Sequence, residues 1–378
     1  MNRIYFDNGA SSHPKPQNVY KNILNYMVGN GANAGRSSHS MAMAAAEKVY
    51  QARSRIATFF GMDAPENVVF TLNATHGLNT VIQGLFAQGM HVITTDLEHN
   101  SVLRPLYEMQ KRGVKLDVAT VDLYDDDLTV QRIAQLIRPE TKGIVVTQCS
   151  NVCGKMLPIE KIAALKRSDM RLIVDGSQGA GSIPTDVKES KIDYYCAPSH
   201  KGMLGVQGSG FILCSRNELS PLLFGGTGGE SENKTQPVYL PERLEAGTLP
   251  IPAIISMIEG IDFIETIGLQ NLYAHKKHLV RTLYKGLKQN PLIEVYIDYD
   301  RIESPGVISF NVENKNSEEI GEYLAHEGIA VRAGLHCAPL FHNKLGTNDR
   351  GMVRVSFGFS NTEAEIARLL EALNFLKF

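Results

Sequence analysis

The chain has almost no excess of charge, few cysteines and no long apolar run, and each absence excludes a class of function. Its 38 basic and 40 acidic side chains leave a formal net charge of −2. Without a basic stripe, binding to nucleic acid or to an anionic membrane surface is not expected. No segment approaches the roughly 20 apolar residues of a membrane span. The N-terminus lacks the apolar core of a secretory signal, so we expect a cytoplasmic protein.

The cysteines are odd in number and irregularly spaced. The five are Cys149, Cys153, Cys196, Cys214 and Cys337. This pattern argues against a disulfide framework and indicates a reducing cytosol. Cys149 and Cys153 are close in sequence, but no second Cys/His pair with zinc spacing lies nearby, so we expect no metal site. The simpler interpretation of the pair is two small buried apolar residues.

The pattern of strands and helices predicts two domains, which a chain of 378 residues is long enough to form. Apolar strand patterns alternate with helical ones up to about residue 215, which predicts a doubly wound α/β domain with a mostly parallel sheet. One of the predicted helices covers residues 77–86. The strands predicted for this domain are residues 68–71, 91–95, 115–121, 143–147, 171–174, 193–197 and 210–214.

The pattern changes after residue 305, where strands and helices typical of a smaller α+β unit follow. The strands predicted there are residues 307–312, 330–332 and 352–357. We therefore predict a large domain of residues 16–250 and a small domain formed by residues 1–15 together with 251–378.

Asp175 and Lys201 are the most informative pair of residues. Asp175 ends one apolar strand pattern, and Lys201 follows a later one and opens a glycine-rich loop. Pyridoxal phosphate chemistry requires a lysine amine that forms a Schiff base with the cofactor aldehyde and a carboxylate that keeps the pyridine nitrogen protonated. The carboxyl ends of parallel strands share one edge of a sheet, so we expect these two residues to lie together.

Three further polar groups follow predicted strands and would lie at the same edge. Residues 73–79 join a strand to a helix, where exposed amides and the Thr75 hydroxyl can bind an anion; an ordinary capped helix is the alternative. His99 is placed to stack on a planar ring or to move protons, although a lone histidine is more often structural. Asn151 can donate a hydrogen bond to a ring hydroxyl.

The order and spacing of several short motifs resemble those of class V aminotransferase-fold enzymes, and specifically of group II cysteine desulfurases. The likeness runs nearly from end to end. The motifs are residues 5–10 (YFDNGA), 35–39 (GRSSH), 74–77 (ATHG), 98–99 (EH), 150–152 (SNV), 174–178 (VDGSQ), 199–201 (SHK), 245–248 (EAGT), 332–338 (RAGLHCA) and 354–356 (RVS). The resemblance implies a pyridoxal-phosphate-dependent transferase of fold type I.

The resemblance also implies the residues of the site. The implied catalytic residues are His99, Lys201 and Cys337. The implied cofactor-binding residues are Ala74, Thr75, His99, Asn151, Asp175, Gln178, Ser199, His200, Lys201 and Thr248. The implied substrate-binding residues are Ala10, His39, Asn151, His336 and Arg354. Because Thr248 would reach the cofactor phosphate of a neighbouring subunit, the resemblance implies a homodimer with shared active sites.

The implied reaction converts L-cysteine to L-alanine and leaves the sulfur on Cys337 as a persulfide. Cys337 must act as a thiolate, and we expect His336 and Arg332 to supply the positive charge that lowers its pKa. Arg354 would bind the substrate carboxylate through its guanidinium fork. The short loop before Cys337 is similar to that of group II enzymes, which pass sulfur to a carrier protein.

Two positions depart from the family pattern and leave alternatives open. Pro198 stands where the family usually has a serine or threonine that binds phosphate, so either Ser199 replaces it or the phosphate is held differently. Leu335 replaces a polar residue and makes the cleft more apolar. L-selenocysteine is therefore an alternative substrate. Another C–S lyase or an aminotransferase of the same fold is an alternative activity. A non-catalytic protein that binds a partner is a more remote alternative.

Overall fold

The computed structural model describes residues 3–35, 39–229 and 231–375. Its strands are β1 (Ile4–Tyr5), β2 (Val68–Thr71), β3 (His91–Thr95), β4 (Lys115–Ala119), β5 (Thr141–Thr147), β6 (Arg171–Asp175), β7 (Tyr194–Pro198), β8 (Gly210–Cys214), β9 (Ile293–Glu294), β10 (Val307–Val312), β11 (Ile329–Ala330), β12 (Arg332–Gly334) and β13 (Met352–Ser356). Its α-helices are α1 (Gln17–Gly29), α2 (Ser40–Phe59), α3 (Ala74–Leu85), α4 (Asn100–Lys111), α5 (Asp126–Gln135), α6 (Ile159–Ala163), α7 (Ile251–Ile267), α8 (Leu269–Leu287), α9 (Ser317–His326), α10 (Pro339–Leu345) and α11 (Glu363–Asn374).

A seven-stranded sheet with the order β2-β8-β7-β6-β5-β3-β4 forms the centre of the fold. Strands β7, β6, β5, β3 and β4 are parallel to one another, whereas β8 runs antiparallel to both β2 and β7. Strands β3, β6 and β7 are almost wholly buried, which is typical of strands covered by helices on both faces. The predicted α/β fold with a mostly parallel sheet is confirmed.

The C-terminal part contains a four-stranded antiparallel sheet with the order β12-β13-β10-β9. The N-terminal strand β1 pairs in parallel with β11, and Asp7 forms a bridge to Ser356 at the end of β13. The start of the chain therefore packs on its C-terminal part, which supports the predicted grouping of residues 1–15 with residues 251–378. The domain boundaries themselves stay a prediction.

Several predicted bounds are wrong, among them those of α3, of β4 and of the strand predicted over 330–332. Helix α3 begins at Ala74, three residues before the predicted start, because the side chain of Asn73 caps it by accepting a hydrogen bond of 2.8 Å from the His76 amide. Strand β4 ends at Ala119, two residues before the predicted end. The strand predicted over 330–332 is divided between β11 and β12, because Ala330 pairs with β1 and Arg332 pairs with β13.

Of the helices that the structure describes, none combines the length and the apolar content needed to cross a bilayer. All five cysteines are free thiols, and Cys337 is exposed while the other four are buried.

Candidate active site

A cavity opens where the carboxyl ends of β3, β5, β6 and β7 meet. The structure brings eight of the predicted site residues into its wall. They are Ala74, Thr75, His99, Asn151, Asp175, Gln178, His200 and Lys201. They come from five separate segments of the chain, and parallel strand pairing places these segments at one edge of the sheet, as predicted.

One end of the cavity is suited to a phosphate. The N-terminus of α3, with Thr75 in its first turn, faces the cavity, and its free amides and positive dipole end favour an anion. His200 lies opposite, and within the described part of the chain its buried Nδ1 has no hydrogen-bond partner. Burial lowers the pKa of His200 to about 4, with smaller contributions from the charges of Lys201 and Lys15. A buried nitrogen without a partner requires a ligand that completes its hydrogen bond.

The other end of the cavity is suited to a protonated ring nitrogen. The Asp175 side chain is 2% exposed, and its Oδ1 accepts a hydrogen bond of 2.9 Å from the Ser177 amide. The Ser101 hydroxyl lies 3.5 Å from the Asp175 Oδ2. These contacts fix a carboxylate in the wall of the cavity, where a positively charged partner is strongly stabilised.

Lys201 lines the same cavity. Burial lowers the pKa of its amine to about 8, while the Asp175 carboxylate opposes this shift. A lowered pKa makes the free amine accessible near neutral pH, as both attack on an aldehyde and the transfer of a proton require. The donors and charges in this cavity therefore fit pyridoxal phosphate.

His99 presents a neutral ring to the same cavity. Its Nδ1 accepts a hydrogen bond of 3.0 Å from the Ser101 amide and so caps helix α4. Burial lowers the pKa of His99 to about 4, although the Asp175 carboxylate acts in the opposite direction. Because Nδ1 accepts, the ring proton resides on Nε2. A neutral, oriented imidazole is suited to stacking on a planar ring.

Glu98 is buried beneath the site. Its Oε1 accepts hydrogen bonds of 2.6 Å from the Thr95 hydroxyl and 3.0 Å from the Thr147 amide. Burial raises the pKa of this carboxyl to about 8, and the nearby carboxylates of Asp175 and Asp96 add to the shift. Glu98 is therefore mainly protonated at neutral pH.

The titration of Glu98 predicts a loss of stability with rising pH. The folded protein holds the Glu98 proton up to about pH 8, whereas the unfolded chain releases it near the ordinary value, so folding becomes less favourable between these two values. We expect Glu98→Gln to remove this dependence, with a gain over the parent on the order of a few kcal/mol at pH 9 and a much smaller difference at pH 5. Urea unfolding at both pH values measures the effect.

Glu189→Gln is the control for this experiment, because Glu189 is an exposed glutamate. It should keep the pH dependence of the parent protein. If the stability of Glu98→Gln fell as steeply with rising pH as that of the parent, the inference that Glu98 is protonated in the folded protein would be wrong.

Cys337 lies on a loop that two hydrogen bonds hold over the cavity. The Asn100 amide donates a hydrogen bond of 2.7 Å to the Cys337 carbonyl, and the Asn151 side chain donates one of 2.8 Å to the His336 carbonyl. Both His336 and Cys337 have positive φ, at 51° and 57°. Two consecutive left-handed residues other than glycine are strained, and such strain is concentrated at functional sites.

The expectation that His336 supplies a positive charge to Cys337 is wrong. His336 is buried, and burial lowers its pKa well below the ordinary value, with the Arg354 charge acting in the same direction. Its Nε2 lies 3.3 Å from the Arg332 carbonyl. The ring is therefore neutral, and Arg332 is the remaining candidate of the two predicted neighbours.

Arg354 is buried beside the cavity and is held from two sides. Its guanidinium donates hydrogen bonds of 2.7 Å to the Asp7 carboxylate and 3.1 Å to the Asn151 carbonyl. Its Nε is buried and has no partner among the residues described. The two hydrogen bonds therefore leave other donors of the guanidinium unused.

The remaining predicted residues lie outside the cavity wall. The Ser199 hydroxyl donates to the Val206 carbonyl, Ala10 closes a turn onto the Asp7 carbonyl, and His39 caps helix α2. Thr248 is exposed and lines a separate surface cavity. Residues 36–38 of the GRSSH motif lie outside the described residues.

Several residues in or beside the site were not predicted from the sequence, and three of them contact predicted site residues through polar groups. Asp7 pairs with Arg354, and Ser101 contacts both His99 and Asp175. The buried ammonium of Lys15 donates hydrogen bonds of 2.7 Å to the Ser12 hydroxyl and 2.8 Å to the His200 carbonyl. The signal for Lys15 was weak, because a lysine between two prolines is most simply a surface residue.

Comparisons with known proteins agree with this geometry. The chain is 32% identical to a probable cysteine desulfurase of Methanothermobacter thermautotrophicus, over 98% of this chain and 94% of that protein. It superposes with a TM-score of 0.90 on the apo cysteine desulfurase of Thermococcus onnurineus, which is 30% identical, over 99% and 94% of the two chains. The cysteine desulfurase CsdA of Escherichia coli gives a TM-score of 0.87 at 25% identity, over 98% and 94%.

The sequence model of one family, the class-V aminotransferases, matches residues 4–369. This match covers nearly the whole chain, including every residue of the cavity described above. The chain therefore belongs to the class-V aminotransferase family of pyridoxal-phosphate-dependent enzymes.

Proposed function

We propose that the protein is a cysteine desulfurase that converts L-cysteine to L-alanine and retains the sulfur on Cys337. One observation carries this proposal. The exposed Cys337 lies on a strained loop whose two hydrogen bonds come from Asn100, which follows His99, and from Asn151 in the cavity wall. The backbone that carries this free thiol is thus tied to a residue of the cavity wall, which supports a role for the thiol in the reaction.

When bound, pyridoxal phosphate supplies an aldehyde for the substrate amine and a ring that accepts an electron pair from the substrate carbon. The residues of the chain orient the substrate, move its proton and hold the ring nitrogen protonated. The Lys201 amine removes the proton from Cα of the substrate. The Asp175 carboxylate holds the ring nitrogen protonated, and the free Nε of Arg354 donates to the substrate carboxylate, which orients the cysteine.

Sulfur transfer requires a nucleophile that approaches the substrate sulfur. The Cys337 thiolate attacks this sulfur, an S–S bond forms, and the Cβ–S bond of the substrate breaks. The electron pair of the broken bond stays on the carbon fragment, which takes up protons and leaves as alanine. No external oxidant is needed, because the substrate carbon is reduced as the sulfur is oxidised.

Mass spectrometry after incubation with L-cysteine tests this proposal. We expect alanine in solution and the mass of one added sulfur atom on the peptide that contains Cys337, removable by a thiol reductant. Parallel reactions with L-selenocysteine and cystine test the alternative substrates. Alanine without added sulfur on Cys337 would contradict the persulfide route, and no alanine from cysteine would contradict the activity.

The Asp175→Asn variant should keep the fold and the cofactor but lose turnover. The amide has no charge to hold the ring nitrogen protonated, so we expect kcat with L-cysteine to fall about 10²-fold. Alanine release by cofactor-loaded protein measures the change. Asp127→Asn is the control, because Asp127 is 81% exposed on α5 and should keep the parent rate. Unchanged kcat in Asp175→Asn would exclude this role for the carboxylate.

We also propose a homodimer that passes sulfur to an acceptor protein in the cytoplasm. The exposed position of Thr248, away from the cavity of its own chain, supports a role at the site of a second subunit. The exposure of Cys337 supports transfer of its sulfur to a partner, and the five free thiols support a reducing compartment. Light scattering of the purified protein measures the oligomeric state, and a monomer would contradict the shared site.

A further inference from the structure

A second, smaller cavity adjoins Lys201, between the strand-end loops and the C-terminal part of the chain. Its volume is about 50 Å³, room for a few water-sized species. Two lysines, Lys201 and Lys276, contribute to its wall, together with Ser182 and several glycines. Among the described residues of this wall there is no aspartate or glutamate. Because the cofactor would occupy the Lys201 amine, Lys276 is the lasting cationic group of this wall, and no acidic side chain in the wall balances it.

Lys276 is the unusual residue of this cavity. It lies on helix α8 and is only 7% exposed. Its Nζ donates a hydrogen bond of 2.7 Å to the Ser182 hydroxyl, and within residues 3–35, 39–229 and 231–375 it forms no ion pair. A buried ammonium without a counter-charge carries a desolvation cost of several kcal/mol.

The Cys149 thiol is the ionisable group that interacts electrostatically with Lys276, but it does not supply the counter-charge. Burial raises the pKa of Cys149 far above its ordinary value, with a smaller contribution from Cys153, so the thiol is neutral at physiological pH. The positive charge of Lys276 is thus not balanced by the protein.

The hydrogen-bond inventory of the cavity shows the same excess of donors. The Ser182 oxygen accepts from Lys276, and in the described part of the structure the Ser182 hydroxyl proton has no acceptor. A Cβ on Gly202 would lie 2.7 Å from the Ser182 Oγ, and one on Gly306 would lie 3.2 Å from Cδ of Lys276. A side chain at either position would therefore crowd one of the two donors, and at Gly202 it would also clash with the Ala180 carbonyl.

We propose that this cavity binds a small monovalent anion, of the size of chloride, beside the hydrogen-bonded pair of Lys276 and Ser182. The anion supplies the missing counter-charge and accepts both free donors. The Lys276–Ser182 pair lines only this cavity, which distinguishes the site from the phosphate-binding part of the neighbouring cavity. The inference is independent of the proposed desulfurase activity, because none of its arguments uses the reaction.

Bromide is the probe for the position of the anion. Crystals of the full-length parent protein soaked in sodium bromide should show an anomalous peak within hydrogen-bonding distance of the Lys276 Nζ. The same soak of Lys276→Met crystals should show no peak there. A parent cavity that holds only water under these conditions would overturn the proposal, whether or not the variant folds.

Thermal unfolding provides a second measurement in solution. At constant ionic strength, replacing gluconate with chloride should raise the Tm of the parent by about 2–5 °C, because the anion binds only the folded state. Lys276→Met should lose this increase. Lys285→Met should retain it, because Lys285 lies exposed on the same helix. An equal effect of chloride on all three proteins, or none on the parent, would contradict a specific site.

Discussion

The Lys201→Ala protein is expected to bind pyridoxal phosphate without a covalent bond and to convert L-cysteine to alanine at least about 10³-fold more slowly than the parent. Two functions are lost with one amine: the covalent attachment of the cofactor and the removal of the substrate Cα proton. The structure gives the reason, because Lys201 is the lysine that shares a cavity with Asp175, His99 and His200. No second amine lines this cavity among the described residues, so none can replace it.

Two measurements separate these losses. Mass spectrometry after borohydride reduction should find the cofactor mass on Lys201 of the parent and on no residue of the variant. Proton NMR in deuterated water should show exchange of the cysteine Cα proton with the parent and not with the variant. Lys161→Ala is the control, because Lys161 is a surface residue paired with Asp127, and it should behave as the parent. Cofactor retained covalently in Lys201→Ala would show that another lysine holds it.

The residues at the strand ends could be predicted from the sequence because their position depends on local pattern alone. An apolar run followed by a polar residue marks the end of a strand, and parallel pairing then places all such ends at one edge. Asp175, Asn151 and His99 are examples. The reversal of β8 could not be predicted in this way, because the apolar run Gly210–Cys214 carries no signal of direction.

The alternation of side chains along β7 shows where the Ser199 hydroxyl lies relative to the cavity that Pro198 lines. Side chains of a strand point to opposite faces in turn, and the chain continues this alternation past the end of β7. Pro198 and His200 line the cavity, whereas the Ser199 hydroxyl lies on the other side and donates to the Val206 carbonyl. The sequence showed that a hydroxyl was missing at position 198, but only the structure shows that its neighbour does not replace it.

The contacts of the N-terminal segment lay beyond prediction, because they join residues far apart in the chain. Asp7 and Arg354 are separated by 347 positions, and Lys15 and His200 by 185. No local periodicity encodes such pairs, which depend on how residues 7–15 pack across the strand ends. Burial gives these contacts their effect, because charges removed from water interact more strongly. The sequence therefore predicts the strand-end half of the site better than the half that long-range packing completes.

The Cys337→Ser variant should keep the cofactor and lose sulfur transfer, with alanine formation from L-cysteine reduced at least about 10³-fold. The serine hydroxyl has nearly the same shape, but it is not ionised at neutral pH and cannot form an S–S bond. Because Lys201 is intact, exchange of the cysteine Cα proton with deuterated water should continue in Cys337→Ser. This separates loss of the nucleophile from general damage to the site, which would abolish exchange as well.

Cys153→Ala is the matched control, since it also removes one thiol. Cys153 is buried, its amide donates a hydrogen bond to the Ser150 hydroxyl, and it does not line the cavity of Lys201. The variant should keep alanine formation within a few-fold of the parent and should still acquire one sulfur atom on Cys337. Parental turnover by Cys337→Ser would require that the sulfur leave without a protein nucleophile, and the exposed thiol on its strained loop would then have no part in the reaction.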